Sequence, residues 1–209
     1  VLKALELDGK GLDFHAIMFE DFEGVSLEQY LQEKGSLPLA EFLFIAIKIV
    51  EAIELFHNSG YIHKNICAQN IMINADTLEI KLMGLDIVTK LTQEKQPEFD
   101  LELMNADVYY ISPEQTGRVD RAVDYRTDFY SLGILFYKML SGRMPLVADD
   151  LMGIIYAHIA RKPEELTRLE KEIPEVVAGI VDKLLAKSAE ERYQTAKALK
   201  YDLNIWKLA

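Results

Sequence analysis

The stretch YIHKNICAQNIMI, residues 61–73, decides how the rest of the chain is read. It opens aromatic, apolar, His, passes through a polar segment, and ends on an Asn that leads into an apolar β-prone run. Before it, Phe42, Ile45, Ile49, Ala52 and Phe56 recur at three and four residues, which predicts one buried stripe on a long helix. NSG at 58–60 ends that helix, with Gly60 as a left-handed cap. After it, NIMIN (70–74) and LEIKLMGL (78–85), joined by ADT, predict a small hairpin. Nearer the start, VLKALEL and FHAIMFEDF are separated by DGKG, a second hairpin signal.

Residues 88–105 are polar and weakly periodic and read as a mobile loop. DFYSLGILFYKMLSG (128–142) is apolar nearly all round, as a central buried helix is, and stops at Gly142. Three amphipathic runs follow, at 149–161, 175–187 and 195–208. The last carries the stripe Ala196, Leu199, Leu203 and Trp206, with Thr195 or Gln194 near its start. The predicted fold class is mainly α (α+β), one helical domain carrying small hairpins.

The 209 residues are half apolar and 27% charged, with a formal charge of −11. That sign argues against a nucleic-acid or anionic-membrane surface. A single cysteine, Cys67, leaves no internal disulfide, and four scattered histidines offer no zinc-ligand spacing, so no metal site is expected. The longest apolar run, EFLFIAIKIVEAIELF (41–56), is broken by Lys48 and Glu51, so no membrane insertion is expected. No signal-peptide pattern follows Val1, and a cytoplasmic location is expected.

The opening stretch resembles the protein-kinase catalytic loop H-R-D-x-x-x-x-N, with His63 on the His, Lys64 on the Arg, Asn65 on the Asp and Asn70 on the Asn. Further matches follow in order. IKLMGLD (80–86) stands at the strand that ends in D-F-G, and YYISPEQTG (109–117) resembles the A-P-E segment through Ser112, Pro113 and Glu114. DYRTDFYSLG (124–133) carries Asp128, and AEERYQTA (189–196) supplies Arg192. FHAIMFEDFEGVSLEQYL (14–31) resembles the fifth strand and hinge, with Phe19 at the gatekeeper and Glu20 to Phe22 as hinge. The resemblance implies residues 1–25 as a remnant of N-lobe strands and hinge, and 26–209 as a kinase-like C-lobe. YISPEQTGR with DYRTDFYSLG is similar, more narrowly, to the kinase-like N-terminal region of large bacterial sensor histidine kinases.

The resemblance assigns roles residue by residue. Asn65 stands at the base position, Cys67 at the lysine that neutralises the γ-phosphate, and Gly84 at the metal-binding Asp. Asp107 replaces a small polar residue of the A-P-E segment, and Asp86 could serve at the metal only through a register shift. Glu20, Phe22, Asn70 and Met72 fall at nucleotide-contacting positions. His63, Glu114, Asp128 and Arg192 fall at structural ones, with a Glu114–Arg192 ion pair and Asp128 bracing the loop backbone. Cys67 is also read as a small buried filler.

Structural anchors are kept where residues of chemistry are not. The expected function is therefore a catalytically impaired regulatory module in bacterial signalling, whose partners are proteins or neighbouring domains. No cofactor is expected for these residues alone, and ATP with Mg²⁺ only with a complete N-lobe. The alternatives are an atypical Ser/Thr kinase and a nucleotide-sensing module that binds ATP without Mg²⁺ through Asn70 and the hinge.

Overall fold

A computed structural model of the chain describes residues 4–6, 17–19, 22–91, 107–169 and 172–207, the first two segments by backbone alone. Strands β1 (Ala4–Glu6) and β2 (Ile17–Phe19) pair antiparallel, Ala4 opposite Phe19. Val25–Ser26 forms β3, and helix α1 (Leu27–Lys34) follows at once because the Ser26 side chain caps it, accepting from the Gln29 N–H. Pro38 then opens α2 (Leu39–Asn58), whose buried face holds Phe42, Ile45, Ile49 and Ile53. Gly60, at φ +80°, turns the chain out of α2, a conformation that costs glycine little.

Beyond that turn lie β4 (Tyr61–Ile62), β5 (Ile71–Ile73), β6 (Ile80–Leu82) and β7 (Thr89–Lys90). The hairpin expected from NIMIN and LEIKLMGL is β5–β6, and β3 adds to its edge to give a three-stranded antiparallel sheet ordered β3-β5-β6. The reading of 88–105 as a loop needs correction at its start. Thr89 and Lys90 pair with Ile62 and Tyr61, so a short ribbon flanks the central stretch. Strands of two residues are too short to leave a period in the sequence. Residues 92–106 lie outside the described residues.

Helix α3 (Arg126–Ser141) is buried at every position except Arg126 and Lys138. It ends at Gly142, φ +68°, whose N–H bonds back to Lys138 O. Around it sit α4 (Leu151–Ala160), α5 (Leu166–Leu169), α6 (Glu175–Leu184) and α7 (Ala196–Lys207). Gly133 lets α3 and α6 approach closely, since a Cβ there would stand 2.9 Å from Leu184 Cβ. Ala196, Leu199 and Leu203 of α7 are buried and Trp206 packs beside them, while the Thr195 hydroxyl caps the helix by accepting from Ala198 N–H. One apolar core runs through α1, α2, α3, α6 and α7, and each fully buried Leu, Ile or Phe contributes about 1.5–3 kcal/mol. The mainly α class expected from the sequence is the class observed.

Candidate functional site

The loop from His63 to Asn70 crosses between β4 and β5, on the N-terminal end of α3. Asp128, in the first turn of α3, is fully buried and gathers three donors. Its Oδ2 accepts from His63 N–H at 3.0 Å and from His57 Nε2–H at 2.8 Å, and its Oδ1 accepts from Lys64 N–H at 2.8 Å. Lys64 has φ +63°, a left-handed conformation that L-residues hold only when their surroundings enforce it. From the other side, Gln115 Nε2 donates to Lys64 O at 2.8 Å while its Oε1 accepts from Ser112 N–H. The loop backbone is thus held by α3 and by the SPEQ segment together.

His63 is buried and neutral. Burial lowers its pKa, with the Asp128 carboxylate opposing. Its Nε2–H donates to Met83 O at 2.9 Å, and its Nδ1 accepts from Asn65 N–H at 3.3 Å. Asn65 is 6% exposed at the loop's turn. The Cys67 thiol is buried, and its pKa is pushed up to about 11 by burial. Asn70 closes a one-turn 3₁₀ segment, and its Nδ2 donates to Asn65 O at 3.0 Å. Gly84, at φ +71°, faces it so closely that a Cβ would stand 2.3 Å from Asn70 Nδ2. The Asn70 carboxamide occupies the space a side chain at 84 would need.

The fold thus brings Asn65, Asn70 and Gly84 to one point, with Cys67 buried beside them. Met72, half-buried on β5, lies opposite Ser26 and Lys81. Phe22 is half-buried with the Lys81 ammonium 5.0 Å from its ring centre. Asp86 is exposed in the turn after Gly84. Glu20 lies outside the described residues, and of Phe19 only the backbone is described. Among the described residues no three His, Cys, Asp or Glu side chains converge as metal ligands.

A buried ion pair pins the SPEQ segment to the helical side. Arg192 Nη1 and Nη2 bond Glu114 Oε1 and Oε2 at 2.6 and 2.9 Å. The remaining guanidinium N–H groups donate to the carbonyls of Ala186, Arg126 and Lys187, so all five are used.

Three groups that matter here were not singled out in the sequence. His57 lacks a motif of its own. Gln115 stands three residues after Ser112, the spacing of a capping box, and the structure forms that box. The third is a buried chain behind the segment: Lys187 Nζ donates to Tyr130 OH, which donates to His158 Nδ1, whose Nε2–H donates to Val108 O.

Burial, reinforced by the Lys187 charge, lowers the His158 pKa to about 4. The folded form therefore binds fewer protons than the unfolded chain below the ordinary histidine pKa of about 6.5. This contribution is complete above pH ~6.5 and is lost as pH falls towards 4, by about 3 kcal/mol over the window. Urea unfolding at pH 7 and pH 5 is expected to show about 2 kcal/mol of that loss, flattened in His158→Gln. An equal pH response of both proteins would remove His158 as the cause.

Residues 11–203 match the protein kinase domain family. The chain is 32% identical over 191 residues to a probable serine/threonine-protein kinase of Clostridium perfringens, covering 91% of this chain and 27% of that protein. It is 31% identical over 187 residues to serine/threonine-protein kinase PknB of Mycobacterium leprae, covering 90% and 29%. Over 100 residues it is 47% identical to hybrid signal transduction histidine kinase G of Dictyostelium discoideum, covering 48% of this chain and 3% of that protein. The chain spans less than a third of the length of each of these relatives.

Proposed function

Because the chain belongs to the protein kinase domain family, we propose that it is a kinase-shaped regulatory module, impaired in phosphoryl transfer, that docks a partner or a neighbouring domain of a signalling protein. The observation that carries this reading is the point where Asn65, Asn70 and Gly84 meet. Phosphoryl transfer relies on placed charges more than on covalent chemistry by the protein. The Asn65 amide cannot accept a proton at neutral pH, and a missing general base removes roughly 10²–10⁴-fold in rate. The Cys67 thiol is neutral at physiological pH, its pKa pushed up to about 11, and offers no charge to a phosphate.

Mg²⁺ seeks hard oxygen ligands, carboxylates first. At this point the described residues present a glycine and one neutral amide, itself hydrogen-bonded to the Asn65 carbonyl. Magnesium-bound ATP does not fit that donor set. Placement in a multidomain signalling protein is supported by the similarity to a hybrid signal transduction histidine kinase. A cytoplasmic location goes with this reading; no helix among the described residues is long and apolar enough to cross a membrane.

The similarities to serine/threonine-protein kinases favour a second reading, an atypical Ser/Thr kinase. One experiment separates the two. The full-length protein is incubated with radiolabelled ATP, Mg²⁺ and a general protein acceptor, beside its Asn65→Ala variant. No transfer above background is expected from either. Transfer by the parent that the substitution abolishes would establish the second reading and end the first.

A further inference from the structure

Asn65 is 6% exposed, and among the described residues its side-chain carboxamide has no hydrogen-bond partner. Its backbone, by contrast, is committed on both sides. The N–H donates to His63 Nδ1 at 3.3 Å, and the carbonyl accepts from Asn70 Nδ2 at 3.0 Å. Neither end of the carboxamide is sealed from the surface, because among the described residues only the Tyr110 hydroxyl is an enclosed side-chain polar atom without a partner. A planar group with an acceptor oxygen and two N–H donors thus stands nine-tenths buried, unpaired and open to a guest.

The surroundings decide the charge of that guest. The ionisable groups of the loop and its support are neutral or engaged. Burial keeps His63 neutral and pushes the Cys67 thiol up to about 11. The Asp128 carboxylate is occupied by three donors, and the Lys64 side chain has a partner of its own. A charged side chain entering here would leave water for a site without a counter-charge, which is unfavourable. A neutral polar group fits. A hydroxyl has one hydrogen to give, and its single oxygen cannot meet both ends of the Asn65 amide in good geometry. A second carboxamide can: its N–H donates to Asn65 Oδ1 while its oxygen accepts from Asn65 Nδ2, two bonds in one plane. Asn70 Oδ1 is likewise unpaired among the described residues, since Asn70 uses its Nδ2 on the Asn65 carbonyl, and is available to the guest's remaining N–H.

We propose that the Asn65 carboxamide is a recognition point for a neutral carboxamide, the side chain of a glutamine in a docked segment. The inference rests on the docking reading above and names the residue that the docked segment presents. A glutamine has no hydroxyl to receive a phosphate, so such a segment occupies the site without being a substrate.

The test uses the full-length protein and fluorescent alanine-rich peptides with glutamine, glutamate, norleucine or serine at one central position. Anisotropy titration is expected to show the glutamine peptide binding about tenfold more tightly than the norleucine peptide, the difference being two hydrogen bonds. The glutamate peptide is expected to bind no more tightly than the norleucine peptide. Asn65→Asp replaces the NH₂ donor by a second acceptor, and Asn65→Leu removes both ends. Each is expected to cancel the glutamine advantage and leave the norleucine affinity unchanged. The Asn65 carboxamide has no partner to lose, so Asn65→Leu is expected to melt at or above the parent's temperature. Equal affinity for the glutamine and norleucine peptides, no binding by any peptide, or an advantage that survives both substitutions would overturn the proposal. Tighter binding of the serine or glutamate peptide than of the glutamine peptide would do the same. Transfer of labelled phosphate to the serine peptide is scored separately: transfer would end the regulatory reading, while the glutamine preference alone decides the amide site.

Discussion

Arg192→Met is expected to lower the unfolding free energy by about 3–5 kcal/mol. The side chain is 1% exposed and the carboxylate it faces is 2% exposed. Removing the guanidinium strands a buried negative charge and leaves the carbonyls of Ala186, Arg126 and Lys187 without their donor. Glu114→Gln is expected to cost less, because the amide oxygen still accepts from one Nη–H. The double variant Glu114→Leu, Arg192→Met is expected to be more stable than Arg192→Met alone, since the uncompensated charge is gone. Urea denaturation of the parent, Glu114→Leu, Arg192→Met and the double variant, analysed as a cycle, measures the coupling. Strict additivity would mean that the pair holds nothing together.

The second large effect is expected from Asp128→Ala, at about 3–5 kcal/mol. Here the loss is of a buried acceptor shared by three donors, the N–H groups of His63 and Lys64 and the His57 imidazole. Asp128→Asn keeps one acceptor oxygen but turns an NH₂ toward a donor, and is expected to recover only part of the loss. Amide hydrogen exchange separates a local from a general effect. In Asp128→Asn, protection is expected to fall first at His63 and Lys64, because the left-handed Lys64 backbone loses its restraint. Uniform loss of protection through α2 and α3 would place the role of Asp128 in the core instead of the loop.

Much of this arrangement was legible from residue order. The stripe on α2, the hairpin β5–β6, the buried α3 and its stop at Gly142 follow from periodicity and turn chemistry, which act over a few residues. The Glu114–Arg192 and Asp128 contacts came through resemblance, because pairs so far apart in sequence leave no local pattern. The two-residue strands β3, β4 and β7 were illegible for a physical reason: they exist only because a partner strand satisfies them. The same holds for the buried chain through Tyr130, His158 and Lys187, whose members look ordinary apart. At the site, the sequence shows that 84 is glycine. It does not show that the Asn70 carboxamide has taken up the space. That neighbour makes Gly84→Asp more than a restored carboxylate, since the new side chain must also displace Asn70 from its bond to the Asn65 carbonyl.

Helix α3 has almost no wet face, and this sets a schedule for the growing polypeptide. When α3 leaves the ribosome, the helices that cover its far side have yet to be made. α6, against which Gly133 packs, and α5, which also packs on α3, are both encoded downstream. At ~5–20 residues per second the gap lasts several seconds. During that time the most completely buried helix among the described residues lacks the cover of α5 and α6. A ribosome paused between α3 and α6 would prolong that exposure and favour association between nascent chains. The timing of translation is thus part of what lets this fold form cleanly.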